Sequence, residues 1–265
     1  MPEPRPDTWS DSGAPTASTI AVVIPALDEA STIAEVVRRA LTQPVEWVIV
    51  ADNGSTDDTA RVATAAGAIV VAEPVAGYGR ACTRGSLEAQ KLGATVIVYL
   101  DGDGSSRPEE LPLLVAPITA DEADLVLGSR TLGHIARGSM GPHQRFGNLL
   151  SAALMRMLYD VQVTDLGPYR AIRTELLTRL DMEEMTFGWP TEMMVKSANG
   201  GARIVEIAVA WDHRAGGRSK VSGTLRGSVL AARHILGVTL RHAKWRQRRR
   251  SGDAPRPNNG DSMQR

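Results

Sequence analysis

Short apolar runs alternate with helix-like segments through the first half of the chain. The apolar runs are typical of buried strands and occupy residues 19–24, 47–51, 68–72, 95–100 and 124–127. Apolar residues recur at helical spacing over residues 33–41, 57–66 and 80–92. The first of these helices opens with Thr32 and Glu35, the pattern of a capping box. Alternating strands and helices predict an α/β fold, a Rossmann-like and mostly parallel sheet flanked by helices.

Acidic residues follow three of the predicted strands where the strands end. They lie in the segments Asp28-Glu29, Asp52-Asn53 and Asp101-Gly102-Asp103. In an open α/β sheet, ligands bind in the crevice outside the carboxyl ends of the strands. We therefore expect these side chains to line one crevice.

The segment Asp101-Gly102-Asp103 places two carboxylates on either side of a glycine. Like charges this close are best tolerated when a cation lies between them. Mg²⁺ is typically held by one or two carboxylates together with substrate phosphates, and Gly102 would let a ligand approach the backbone. The segment predicts a divalent-cation site.

The second half of the chain follows a different pattern. Helical spacing is found over residues 146–158 and alternation typical of a strand over residues 203–209. We predict one domain over residues 19–245, with a ligand-binding half (19–128), a second half (129–222) and an amphipathic helical extension (223–245). Residues 1–18 and the basic tail 246–265 have the composition of disordered segments.

Composition excludes several classes of function. Lys plus Arg and Asp plus Glu number 30 each, which gives no signal for a nucleic-acid partner. The single cysteine, Cys82, excludes an intrachain disulfide and a cysteine-based zinc cluster, and fits a reducing compartment. No stretch reaches the roughly 20 apolar residues that span a bilayer. We expect a cytoplasmic protein whose basic run, 241–250, favours contact with the inner face of the membrane or with a membrane partner subunit.

Six segments in order resemble the motifs of the family-two inverting glycosyltransferases. They are residues 25–29, 52–57, 101–103, 128–130, 164–170 and 214–220. Within that family, the chain resembles the dolichyl- or polyprenyl-phosphate sugar synthases. The resemblance implies a GT-A fold, Mg²⁺ or Mn²⁺, and transfer of a hexose from UDP-glucose or GDP-mannose to a lipid phosphate.

The resemblance also implies which residues bind the donor. These are Pro25, Ala26, Glu29, Asp52, Gly79, Asp101, Gly102 and Asp103. Asp103 would be the direct metal ligand, and Asp101 would help to hold the ribose and the hydrated metal. Gly79 belongs to a glycine-rich turn beside the nucleotide. A dehydrogenase fingerprint at this turn is excluded, because it would need glycine where Cys82 stands.

Basic residues carry the remaining roles that the resemblance implies. Arg218 and Lys220, on a loop hinged at Gly216-Gly217, would stabilise the leaving nucleoside diphosphate. Arg130 and Arg145 resemble the arginines that hold the acceptor phosphate, which suits the planar guanidinium.

Two other functions stay open at the level of sequence. A small hydroxyl acceptor would need a general base, for which Glu192 is the first candidate and Asp165 the second. A nucleotide-sugar-binding protein without turnover is the alternative from another class. The chain also departs from the family at Asp28, where asparagine is frequent, and at Ser105, where the lipid-phosphate synthases often carry glutamine.

Overall fold

The computed structural model describes residues 18–216, 237–239 and 241–242. Its seven strands are β1 (Ile20–Ala26), β2 (Trp47–Asp52), β3 (Ile69–Ala72), β4 (Val96–Tyr99), β5 (Leu125–Ser129), β6 (Arg170–Arg173) and β7 (Ile204–Ala208). The α-helices are α1 (Ile33–Leu41), α2 (Thr59–Ala65), α3 (Tyr78–Lys91), α4 (Leu111–Thr119), α5 (Pro142–Tyr159), α6 (Thr174–Leu180) and α7 (Trp189–Asn199). A short 3-10 helix, Pro108–Glu110, precedes α4.

The strands form one sheet in the order β3-β2-β1-β4-β6-β5-β7. All neighbours are parallel except those of β6, which runs antiparallel to both β4 and β5. The predicted mostly parallel sheet flanked by helices is confirmed. Strand β6 and helix α4 were not predicted, and β6 separates β5 from the parallel set formed by the first four strands.

Apolar side chains bury both faces of the sheet. Residues alternate along β1, so that Ala21 and Val23 join one core and Val22 and Ile24 the other. Trp189 is fully buried and packs edge-on against Tyr99, with ring centroids 4.8 Å apart. Trp189 therefore belongs to the core.

The predicted helical extension and both termini fall largely outside the described residues. Residues 237–239 and 241–242 are helical, and the Tyr159 hydroxyl at the end of α5 donates to the carbonyl of Thr239. Among the described helices, none is long and apolar enough to cross a membrane.

Candidate active site

The acidic strand ends meet at one edge of the sheet, as the topology requires. Strands β1, β2 and β4 are parallel neighbours, with Ala26 paired to Asp52 across β1 and β2. The Thr32 hydroxyl donates to the carbonyl of Gly102 at 2.8 Å and makes no cap bond to its own helix. The predicted capping box is therefore wrong, because this hydroxyl ties the start of α1 to the Asp101–Asp103 turn.

Asp28 takes a backbone conformation that explains why asparagine or aspartate suits this position. Its φ is +48°, in the left-handed region that short polar side chains tolerate best. One carboxylate oxygen accepts from the Thr56 backbone at 2.8 Å and from its hydroxyl at 3.1 Å. Asp28 thereby ties the first acidic segment to the loop that follows the second.

Asp103 is buried, and each of its carboxylate oxygens has a partner. Oδ1 accepts from the Ser105 backbone N–H at 2.8 Å and from the Ser105 hydroxyl at 2.5 Å. Oδ2 accepts from Nη1 of Arg214 at 2.6 Å. Ser105, which replaces the family's frequent glutamine, thus orients Asp103.

Glu29 lies across the crevice from Asp103 and shares the same guanidinium. Its Oε1 accepts from Nη2 of Arg214 at 2.7 Å, and its backbone N–H donates to the Thr59 hydroxyl at 2.8 Å. Sequence reasoning placed Arg214 within a motif but assigned it no role. Arg214 is 185 positions from Glu29, so no local signal indicates the pair.

Asp101 carries the most perturbed carboxyl group of this crevice. Burial raises the pKa of Asp101 to about 7, and the nearby Asp103 carboxylate adds to the rise. Arg130 and Arg214 oppose this pKa shift, whereas Glu29 reinforces it. The crevice therefore concentrates negative charge that a cation would relieve.

The protein groups at this turn fit a metal that is completed by its substrate. Within the described ranges, no three His, Cys, Asp or Glu side chains gather closely enough to enclose a metal ion. Mg²⁺ commonly takes one or two carboxylates and fills its remaining positions with water and phosphate oxygens. Asp101 and Asp103 match that donor set.

The remaining predicted donor residues differ in what they offer a ligand. Pro25 and Asp52 are partly exposed at the crevice, whereas Ala26 is buried and its carbonyl accepts from the Asn53 backbone at 2.8 Å. At Gly102, an added Cβ would lie 3.1 Å from Ile33 Cδ1. The position that a side chain at Gly102 would occupy is thus taken up by core atoms and is not open to a ligand.

Gly79 lies in the first turn of α3 against the backbone of a distant segment. An added Cβ would stand 2.4 Å from the Glu184 carbonyl oxygen. The neighbouring Gly77 donates its N–H to the Asn53 side chain at 2.8 Å. The glycine turn is therefore held to the crevice through Asn53, and Gly79 itself serves close packing.

Arg130 and Asp165 form a two-pronged ion pair in the second half of the chain. Nε and Nη2 of Arg130 each lie 2.7 Å from an Asp165 oxygen, and the Arg130 backbone N–H donates to the same carboxylate at 2.8 Å. The guanidinium also lies over the Trp211 ring, 4.8 Å from its centroid. The Asp165 side chain is fully buried, so both of its oxygens serve Arg130.

Arg145 is exposed in the first turns of α5. One turn further on, the Asn148 side chain donates to the Thr164 carbonyl at 3.1 Å and accepts from the Leu166 N–H at 2.9 Å. These bonds fix the start of α5 beside the loop that carries Asp165. Arg145 thus projects from a helix anchored to the Arg130–Asp165 pair.

Glu192 is buried at the start of α7, where its carboxylate organises a turn. It accepts the backbone N–H groups of Glu183 and Glu184, the latter at 2.8 Å, and lies 2.9 Å from the Lys196 ammonium. His242 lies 4.0 Å away. This arrangement favours a structural role for Glu192 over that of a general base.

Arg218 and Lys220 lie outside the described residues.

Comparison with known proteins identifies the family. The model of the family described as "Glycosyl transferase family 2" matches residues 21–181, more than half of the chain. The chain belongs to glycosyl transferase family 2. It is therefore a glycosyltransferase, and its sheet flanked by helices is the GT-A fold of such enzymes.

Two curated relatives and one solved structure are similar to this family 2 glycosyltransferase. An uncharacterized glycosyltransferase of Mycobacterium tuberculosis is 38% identical over 80% of this chain and 94% of its own length. A polyprenol monophosphomannose synthase of Mycolicibacterium smegmatis is 30% identical over 79% of this chain and 83% of its own. Glucosyl-3-phosphoglycerate synthase of M. tuberculosis, crystallised with Mn²⁺, UDP-glucose and phosphoglyceric acid, superposes with a TM-score of 0.70 at 26% identity, covering 89% and 86% of the two chains.

Proposed function

We propose that this glycosyltransferase moves a hexose, with inversion, from UDP-glucose or GDP-mannose to a polyprenyl or dolichyl phosphate. The proposal rests on one observation: both candidate bases, Asp165 and Glu192, are already bound to other groups of the protein. Asp165 is paired with Arg130, and Glu192 is bound by two backbone N–H groups and Lys196. A hydroxyl acceptor would need a base, whereas a phosphate acceptor brings an oxygen that is already anionic.

In this proposal the residues of the crevice bind and orient the donor. Pro25 and Asp52 face the nucleoside, and Asp101 and Asp103 hold Mg²⁺ or Mn²⁺. The bound metal supplies positive charge that offsets the charge developing on the departing nucleoside diphosphate.

Basic residues act on the acceptor and on the leaving group. Arg130 and Arg145 hold the acceptor phosphate, one of whose oxygens attacks the anomeric carbon. As the new bond forms, the bond from that carbon to the diphosphate oxygen breaks, and the electron pair leaves with the nucleoside diphosphate. Arg218 and Lys220 stabilise that product.

The exposed face of α5 supports a lipid acceptor. Leu149 and Met157, eight positions apart on one helical face, are 69% and 72% exposed. The sequence of α5 contains two arginines, Arg145 and Arg156, and no Asp or Glu. An apolar face on a helix that carries two arginines and no acidic residue favours contact with an anionic membrane.

A small phosphorylated acceptor is the second candidate. It is favoured by the superposition on glucosyl-3-phosphoglycerate synthase, crystallised with phosphoglyceric acid. An assay of nucleoside diphosphate release distinguishes the lipid acceptor from the small acceptor. The enzyme is given UDP-glucose or GDP-mannose with Mg²⁺ or Mn²⁺, and either polyprenyl phosphate or 3-phosphoglycerate. We expect release that depends on the lipid and is lost in Asp103→Ala. Release driven by 3-phosphoglycerate alone would overturn the lipid proposal.

A further inference from the structure

Residues 209–216 connect the two halves of the site through backbone hydrogen bonds. The Trp211 N–H donates to the carbonyl of His134 at 2.7 Å, beside the Arg130 loop. The Asp212 and Ala215 N–H groups donate to the carbonyls of Ser105 and Asp103 at 2.8 and 3.0 Å. The 209–216 segment therefore runs along the metal-binding turn and carries Arg214 to it.

The Arg214 guanidinium lies between carboxylates from two different parts of the fold. Its two terminal nitrogens bind Asp103 at 2.6 Å and Glu29 at 2.7 Å. Its Nε is buried without a hydrogen-bond partner among the described residues. Each terminal nitrogen of Arg214 thus binds a different carboxylate. The planar guanidinium, with its fixed fork of N–H donors, suits this arrangement.

We infer that Arg214 is the built-in counter-cation of the metal carboxylates, a positioning residue with which a divalent metal must compete for Asp103. The inference rests on the proposed role of Asp103 as metal ligand. Oδ1 of Asp103 is held by Ser105, and Oδ2 is the oxygen that Arg214 occupies. A metal that binds Oδ2 meets the positive charge of the Arg214 guanidinium at Nη1, while Nη2 can keep its bond to Glu29.

This arrangement has two consequences for the protein before metal binds. The guanidinium keeps Glu29 and Asp103 from repelling each other, so the crevice is preformed. It also lowers the affinity for metal alone, because two positive charges then lie against one carboxylate.

Binding of Mn²⁺ to the metal-free full chain, followed by the electron paramagnetic resonance signal of free Mn²⁺, tests the inference. We expect Arg214→Gln to bind Mn²⁺ about tenfold more tightly than the unaltered protein, since the competing positive charge is gone. Unchanged or weaker binding in Arg214→Gln would overturn the inference.

Two further variants make the result specific. Arg107 anchors the same segment by pairing with Asp212 at 2.6 Å but contacts neither metal carboxylate, so Arg107→Gln is the matched control. An equal gain of affinity in Arg107→Gln would assign the effect to loosening of the segment and overturn the inference. Loss of Mn²⁺ binding in Asp103→Ala supports the metal site itself, whereas undiminished binding there would overturn both the site and the inference.

Discussion

Asp165 binds the Arg130 guanidinium through both of its carboxylate oxygens, each 2.7 Å from a different nitrogen. Nε and Nη2 make these bonds, so Nη1 takes no part in the pair. Arg130 also helps to hold down the pKa of Asp101, whose upward shift is set mainly by burial. The pair therefore fixes a cation close enough to the carboxyl group of Asp101 to lower its pKa.

Removing one partner of this pair is expected to destabilise the protein strongly. Asp165→Asn leaves a largely buried guanidinium without its counter-charge, which costs about 3 kcal/mol in the free energy of unfolding. Arg130→Gln has a similar effect, and the double variant loses less than the sum of the two. Urea unfolding of the three variants measures this coupling, and strictly additive losses would contradict it.

Glu192→Gln tests the general-base alternative. We expect the rate of turnover with polyprenyl phosphate to stay within a few-fold of that of the unaltered enzyme. The free energy of unfolding should fall, because the backbone N–H groups of Glu183 and Glu184 and the ammonium of Lys196 lose a charged acceptor. Glu183→Gln, at an exposed position of the same turn, is the matched control. A rate loss of about 100-fold or more in Glu192→Gln, with the pH profile altered, would identify a base.

Asp124 provides a dependence of stability on pH. Burial alone would raise its pKa, but hydrogen bonds from Arg203 outweigh burial and hold the pKa below its usual value. A carboxyl group whose pKa is lowered by folding stabilises the folded state fully at pH values above its pKa in the unfolded chain, near 3.8. That stabilisation is lost as the pH falls through the lower pKa of the folded state.

We therefore expect Asp124→Asn to cost about 2 kcal/mol at pH 7. The difference from the unaltered protein should shrink as the pH is lowered below about 4. Denaturant unfolding across this range measures both quantities. A difference that stays constant down to pH 2 would contradict the assignment.

The exposed face of α5 is expected to mediate binding to lipid surfaces. The double variant Leu149→Glu, Met157→Glu should lose most of its cosedimentation with vesicles that contain anionic lipid, because it places two carboxylates on the apolar face. Leu113→Glu, at a leucine of α4 that is 55% exposed, is the control and should keep its binding. Equal binding by the double variant and the unaltered protein would exclude α5 as the contact surface.

Local pattern was sufficient to predict the strands β1 to β5 and the edge of the sheet where the acids gather. Both follow from side-chain periodicity and from the rule that parallel strands share a carboxyl end. The position of β6 between β4 and β5 was not predictable in this way, because strand order depends on which apolar faces meet in three dimensions.

The partners of the functional side chains were the least predictable feature. Arg214 meets Glu29 across 185 positions, and the Thr32 hydroxyl chooses the carbonyl of Gly102 over its own helix. Asp165 and Glu192 look alike in sequence as candidate bases. Their buried partners distinguish them from free carboxylates, and those partners are set by tertiary packing.

In the proposed reaction, the acceptor itself supplies the anionic oxygen that attacks the sugar. The most direct measurement compares nucleoside diphosphate release with a polyprenyl phosphate and with the polyprenol of the same chain length, under otherwise identical conditions. We expect release with the phosphate, none above background with the alcohol, and loss of the lipid-dependent signal in Asp103→Ala. Comparable release with the alcohol would contradict the proposed reaction, because a hydroxyl acceptor needs a base and both candidate bases among the described residues are bound to other groups.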